Sequence, residues 1–299
     1  MFKTIINAWK IADLRKKMLF TALIVFIFRL GAALPVPFVN ISGGLISDQN
    51  ANNFMTYLSM MTGDAFNYGT LFAMSITPYI NASIIIELLT VAIPALERLA
   101  KEGEEGRKKI STITRYSSVV LALMQSTAYY FYIRSQNYLT LDANGNKFTG
   151  FFAVLQAITI IFCYTAGASL IMWLGEQINE KGIGNGISII LFAGIVSRMP
   201  TTLYSLYSYM DKGGAYYALA PIAFVSLILM IGFIVWMDNA ERRIPVQYAK
   251  RVVGRKMYGG QNTHIPIKVN MCGVLPIIFA SSILSLPPTI QMFVTVKES

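Results

Sequence analysis

The sequence predicts an all-α membrane protein, a polytopic helical bundle. Three observations predict it. Of the 299 residues, 55% are hydrophobic and 13% charged, with a mean hydropathy of +0.53, whereas a soluble domain carries about a quarter charged residues. Seven continuously apolar stretches are each long enough to cross about 30 Å of hydrocarbon, which takes roughly 20 helical residues. The basic residues gather in alternate connections between those stretches. A disordered chain is excluded by the wealth of Phe, Tyr, Ile and Leu. Two cysteines, both in apolar runs, exclude a disulfide scaffold. A β-barrel would alternate apolar and polar residues, and these runs do not.

Taken in order, residues 1–17 hold Phe2, Ile5, Ile6, Trp9 and Leu14 among lysines. That pattern fits an amphipathic helix on the membrane surface, or simply a basic leader. Span one covers 18–37. It is too long for a cleavable signal, lacks a small-x-small exit and runs into Pro35-Val36-Pro37. Residues 38–69 are nearly free of basic charge. They contain a short apolar piece, Phe54 to Met61, broken by Gly63-Asp64. It is too short to span, so it is either a half-helix dipping inward or a surface loop. Spans two to six cover 70–93, 113–134, 151–174, 183–205 and 216–238. Gly182-Ile183-Gly184-Asn185-Gly186, between spans four and five, reads as a tight turn: Gly182 ends one helix, and Asn185 or Ser188 caps the next. A phosphate loop would need a strand before it. Loop 238–268 interleaves seven basic residues with Val, Pro and Tyr and reads as a docking surface beyond the bilayer, where positive-inside bias alone would leave a plainer loop. Span seven covers 269–293.

Nineteen of the 25 basic residues fall before span one, or in or at the edge of the connections between spans two and three, four and five, and six and seven. This asymmetry puts the N-terminus in the cytoplasm and, with seven spans, the C-terminus outside. Enzymatic chemistry finds no footing. A single histidine, His264, would have to serve every proton transfer. Paired metal carboxylates are absent from the spans, so neither a catalytic nor a metal site is expected. Charges inside the spans are few, and Arg29 and Glu87 stand out. One Glu is thin support for an ion-coupled site, and helix pairing explains it more simply.

Several blocks stand out in order along the chain, among them Asp13-Leu14-Arg15, Arg29 through Pro35-Val36-Pro37, and Phe72 to Leu89 with Pro78-Tyr79-Ile80-Asn81-Ala82-Ser83. Lys101-Glu102-Gly103, Trp173-Leu174-Gly175-Glu176-Gln177 through Ser188, Arg242-Arg243-Ile244-Pro245-Val246 and Thr263-His264-Ile265-Pro266 follow. Together these blocks resemble the SecY family of protein-conducting channels. The chain departs at Ser75, where the family usually has Gly, and at Glu87, where it usually has Gln.

The resemblance implies an hourglass pore in a bacterial plasma membrane, closed at its waist by a ring of Ile76, Ile80, Ile187, Leu191 and Ile278. It implies a plug at about 54–66, with Phe54, Met55, Leu58, Met61 and Gly63, and a lateral gate near Asn81, Ser83 and Thr90. Arg242, Arg243, Lys250, Arg251, Arg255 and Lys256 would dock cytoplasmic partners. The implied partners are the SecE and SecG subunits, the SecA motor, the ribosome, signal peptides of client proteins and membrane lipids; no cofactor is implied. The family has ten spans in two inverted halves. Residues 18–205 would be the first half and 206–299 the start of the second. The last three spans would then be missing, and this stretch, not a working channel alone, would be either a fragment of a longer protein or a truncated product that needs its missing part in trans. The alternative function is an ion-coupled secondary transporter acting through Glu87.

Overall fold

The computed structural model describes residues 9–41, 43–45, 56, 59–140, 148, 150–211, 216–246, 251–253, 256–258, 263–270, 273, 280 and 284. The chain divides into two compact units, residues 1–200 with 282–299, and residues 201–281.

In the first unit, α1 (Ala12–Ala33) carries Asp13 in its first turn, where a carboxylate favours the helix dipole. It stops because Pro35 forces Leu34 into extended geometry. The helix therefore starts six residues before the predicted span and ends four residues sooner. Among the described residues that the chain then passes through, 56 and 59–61 are helical. It makes single bridges, Pro35 to Thr70 and Val39 to Leu139, and turns through 62–76.

Helix α2 (Thr77–Ala92) has Pro78 in its first turn, a position where the missing N–H costs nothing. Its start corrects the predicted span of 70–93. Ser75 sits at φ +48°, which no α-helix accommodates, so the preceding residues form turns. Ile93 is extended ahead of Pro94, and α3 (Pro94–Lys101) leaves at 101° to α2. Gly103, at φ +82°, separates α3 from α4 (Glu104–Ser135). Helix α4 is 32 residues long, about 48 Å at 1.5 Å per residue. It extends the predicted span by a charged first part, with Glu104 and Glu105 in the first turn. Helix α5 (Phe151–Lys181) likewise continues past residue 174 to Gly182. Helix α6 (Gly186–Ser197) is capped by Asn185, whose Oδ1 accepts from Ile187 N–H at 3.0 Å and Ser188 N–H at 3.5 Å. After Arg198 comes α7 (Met199–Asp211), of which only Met199 and Pro200 belong to this unit. Within this unit α2 packs on α4, α4 on α5, and α5 on both α6 and α1.

The second unit holds α8 (Tyr216–Asp238), almost wholly exposed. It also holds two antiparallel strand pairs. β1 (Glu241–Val246) pairs with β4 (Thr263–Lys268), and β2 (Arg251–Val253) pairs with β3 (Lys256–Tyr258). The predicted loop 238–268 is thus a ribbon. Its alternation of Ile and Val with polar residues is a strand signal.

Among the described residues, α5, the α6–α7 stretch and α8 are long and apolar enough to cross a membrane alone, and bent α2–α3 would make a fourth. Six of the seven predicted spans are helical in whole or part. α1 and α4 are not among them: α1 carries too many charges, Arg15, Lys16, Lys17 and Arg29, and α4, rich in Ser, Thr and Tyr, is not apolar enough. Span seven lies almost entirely outside the described residues.

Candidate functional site

The site begins with two glycines. A Cβ on Gly186 would sit 2.0 Å from the Gly175 carbonyl oxygen, so only glycine lets the first turn of α6 lie against α5. This approach brings Ile187 and Ile190 towards Ile76. A Cβ built on Gly175 would meet Ile76 Cδ1 and Ile190 Cδ1 at 3.6 Å and Ile187 Cγ1 at 3.8 Å. Ile76 is fully buried in a cluster with Ile24, Phe28, Phe72, Ile171 and Ile190. Ile80, Ile187 and Leu191 are half-buried and pack against that cluster. Four of the five residues expected at a pore waist therefore come together. The fifth, Ile278, lies outside the described residues.

Beside this cluster the segment 59–76, helical at 59–61 and in turns from 62, is held by α4, α5 and the end of α1. Tyr129 of α4 donates its hydroxyl to the Phe66 carbonyl, and Tyr164 of α5 donates to the Gly69 carbonyl at 2.9 Å. Both tyrosines are buried and their rings meet edge to face at 5.1 Å. Helix α5 passes so close that a Cβ on Gly167 would lie 2.2 Å from the Leu71 carbonyl oxygen. Leu71 N–H donates to the Leu34 carbonyl at 2.9 Å. These tyrosines were not foreseen. The signal was available, because a Tyr inside an apolar span needs a partner for its hydroxyl.

The expected plug residues divide. Met61 is half-buried and Gly63 buried; Phe54, Met55 and Leu58 lie outside the described residues. Gly63 (φ +64°) nests on the end of α6, where its Cβ would meet the Gly194 carbonyl oxygen and Ser197 Oγ at 2.7 Å. Next to it, Asp64 pairs with Arg198 at 2.8 Å. The expected gate residues do not share a face. At about 100° per residue, Ser83 and Thr90 lie on one side of α2 and Asn81 on the other. Glu87 is exposed, which corrects the expected helix pairing; its carbonyl accepts from Thr90 Oγ1.

Arg242 and Arg243 are exposed on β1 and, as strand neighbours, point to opposite faces of the ribbon. Arg251 stands opposite Tyr258, and Lys256 opposite Val253, in the β2–β3 register. Lys250 and Arg255 lie outside the described residues.

The glycine-rich turn holds no phosphate cradle. Ile183 N–H donates to Thr21 Oγ1 at 3.2 Å and Gly186 N–H to Asn179 Oδ1 at 2.7 Å. With Ile187 and Ser188 bonded to Asn185, the amides that would face an anion are already engaged. Among the described residues no group of three or more His, Cys, Asp or Glu is placed to hold a metal.

This arrangement is an apolar cluster beside a clamped segment of turns, and residues 70–299 match the sequence model of the SecY family. The chain belongs to the SecY family. The protein translocase subunit SecY of Streptomyces scabiei is 41% identical over 98% of this chain and 68% of that relative's length. A solved structure concerns the SecY protein whose plug domain stabilises the closed state of the translocation channel and maintains a membrane seal. It superimposes with a TM-score of 0.62 at 16% identity, over 95% of this chain and 59% of that one. Sec61 in the canine ribosome–channel complex from the endoplasmic reticulum gives 0.63 at 18% identity, over 95% and 60%. At such identities the structures establish the fold. The chain spans about 60% of the length of those solved channels. The relatives bear the names of a membrane channel subunit, not of an enzyme.

Proposed function

We propose that this chain builds the waist and the seal of a protein-conducting channel in a bacterial plasma membrane. In that channel unfolded secretory proteins cross the bilayer and membrane segments leave sideways into lipid. The observation that carries the proposal is the convergence of Ile76 and Ile80 with Ile187 and Leu191, from two different helices, on one apolar cluster. A constriction of branched apolar side chains excludes water and so resists ions, while an extended peptide parts the side chains without breaking any bond. Ile278 completes the ring, and the segment around 54–66 is the plug over it.

The N-terminus lies in the cytoplasm, on the strength of the basic residues in alternate connections. Signal peptides and membrane segments pass along the Ser83 and Thr90 side of α2. SecE and SecG complete the assembly. The ribbon with Arg242 and Arg243 receives the SecA motor or the ribosome, since exposed guanidinium groups suit anionic RNA. The test uses the complete channel reconstituted in a planar bilayer. Ile187→Gly is expected to raise resting ion conductance by opening the waist. Conductance equal to that of the parent would remove the ring assignment.

A further inference from the structure

We propose that Arg198 is the anchor of an ionic latch that holds the plug segment closed, with Asp64 and Ser59 as its catch. The proposal rests on the channel reading above and names the residues that set its resting state.

The geometry is a closed triangle. Arg198 Nε lies 2.8 Å from Asp64 Oδ2, Ser59 Oγ donates to Asp64 Oδ1 at 2.8 Å, and Arg198 Nη1 donates to Ser59 Oγ at 3.4 Å. A backbone bond, Asp64 N–H to the Ser59 carbonyl at 2.9 Å, closes the turn beneath it. Ser59 is 1% exposed, and the two charged side chains are mostly covered, at 29% and 23%. A pair this far from water is screened less by salt than a surface pair, and losing one partner leaves the other charge poorly solvated.

The backbone needs such a hold. Gly63 and Asp64 are consecutive residues in the left-handed region, at φ +64° and +71°. Glycine adopts that conformation freely; aspartate does so at a cost. The latch adds a charged hold to contacts that already seat the segment, the Tyr129 and Tyr164 hydrogen bonds among them. Gly63 rests on the Gly194 carbonyl, and a Cβ on Gly194 would lie 3.0 Å from the Met61 carbonyl oxygen. Such contact fits one position of the segment, but main-chain packing alone gives little resistance to lifting. Arg198 stands at the C-cap of α6, the helix that also carries Ile187 and Leu191. A movement of α6 that widens the waist would therefore pull on the latch. An arriving chain that displaces residues 59–64 would break it. The guanidinium matters as a shape as well as a charge, because its separate N–H groups reach both Asp64 and Ser59.

The experiment measures resting ion conductance of the complete channel in planar bilayers. It compares the parent, Asp64→Asn, Arg198→Gln, the double variant, Arg198→Lys and Ile187→Gly. Asp64→Asn is the cleanest variant, because asparagine keeps the shape and tolerates the left-handed backbone. Each single charge loss is expected to raise resting conductance by about tenfold, and the double variant by no more than either single, as for directly coupled residues. Arg198→Lys should fall between the parent and Arg198→Gln. Raising salt should increase the parent's open fraction and leave that of Asp64→Asn unchanged. If Arg198→Gln does not assemble, Asp64→Asn and its salt response decide alone. Latch variants within twofold of the parent, with Ile187→Gly conducting, would overturn the latch and leave the channel standing. If no form conducts even with a signal peptide added, the channel reading itself fails and the latch falls with it.

Discussion

Helices α5 and α8 are both apolar enough to span a membrane, yet the chain treats them differently. In its most apolar stretch α5 is 39% buried within the protein, whereas α8 is 6% buried. Hydropathy does not explain the contrast, since α8 has the higher mean, 2.7 against 1.9. Side-chain size and polarity do. Helix α5 carries Gly167, Gly175, Gln156 and Thr165 on buried positions, with Tyr164 bonded to a main-chain carbonyl. Helix α8 has a run of Ile, Leu, Val, Phe and Trp, with only Gly232 and Ser226 near its middle. In lipid there is no hydrophobic gain in bringing two apolar helices together, so packing follows small residues that allow close approach and polar groups that bond.

The largest expected effect tests this rule directly. Gly186→Val puts a branched side chain where even a Cβ would lie 2.0 Å from the Gly175 carbonyl oxygen. Neither backbone can yield without moving α6, so a loss of about 3 kcal/mol or more is expected, at the upper end for overpacking. The matched change in the other region is Gly232→Ala, where nothing lies within 4 Å. It should be neutral or stabilising by up to about 1 kcal/mol, the helix propensity difference. Thermal unfolding of the two variants in detergent checks both. Equal sensitivity would end the contrast between α5 and α8.

A smaller effect is expected at the tyrosines. Tyr129→Phe removes the hydroxyl that serves the Phe66 carbonyl and leaves a buried acceptor without its partner, costing about 1–2 kcal/mol. Tyr164→Phe should cost a similar amount at Gly69. Trp236→Phe on the exposed face of α8 should cost less than about 0.5 kcal/mol. Limited proteolysis of the 59–76 segment offers a second readout, faster in both tyrosine variants and unchanged in the third.

These same residues show what could be read beforehand. The apolar runs gave the helices, because in a membrane protein a long apolar run has few other stable forms. Their ends were set by other chemistry. Charged turns extended α4 and α5 past the apolar limit, and the left-handed Ser75 cut α2 short. The i,i+4 spacing of Ile76 with Ile80 and of Ile187 with Leu191 was visible, but such spacing is everywhere in spanning helices. What unites the two pairs is the contact of Gly175 with Gly186, a long-range event invisible to local pattern. The latch was hidden for a similar reason, since Asp64 and Arg198 are far apart in the chain and neither belongs to a recognisable motif. The ribbon was legible and went unread, because interleaved Arg, Ile and Pro suggested a docking surface before a strand.

Ser75 gives a change of opposite sign. It is buried at φ +48°, and its Oγ has no hydrogen-bond partner among the described residues. Left-handed strain in a non-glycine residue and an orphaned hydroxyl each cost about 1–3 kcal/mol, while glycine returns about 0.4–1 kcal/mol of unfolded-state entropy. Ser75→Gly is therefore expected to stabilise by about 1 kcal/mol in the same unfolding measurement. A destabilised variant would mean that the hydroxyl meets a group beyond the described residues.

The smallest effect is expected at Glu87, and it separates two kinds of membrane protein. A carboxylate that couples transport to an ion must be shielded and bonded so that its charge matters at each step. Glu87 is exposed on α2, and the bond recorded there runs from Thr90 Oγ1 to its main-chain carbonyl, not to its carboxylate. Replacing the carboxylate by an amide then removes a charge that holds no part of the apolar cluster around Ile76. Glu87→Gln should leave translocation of a secretory precursor within about twofold of the parent, the scatter expected of a surface change worth under about 0.5 kcal/mol. A collapse of transport that returned with an external ion gradient would instead put the work at Glu87. The apolar cluster around Ile76 would then be packing for an ion-coupled site rather than the waist of a pore.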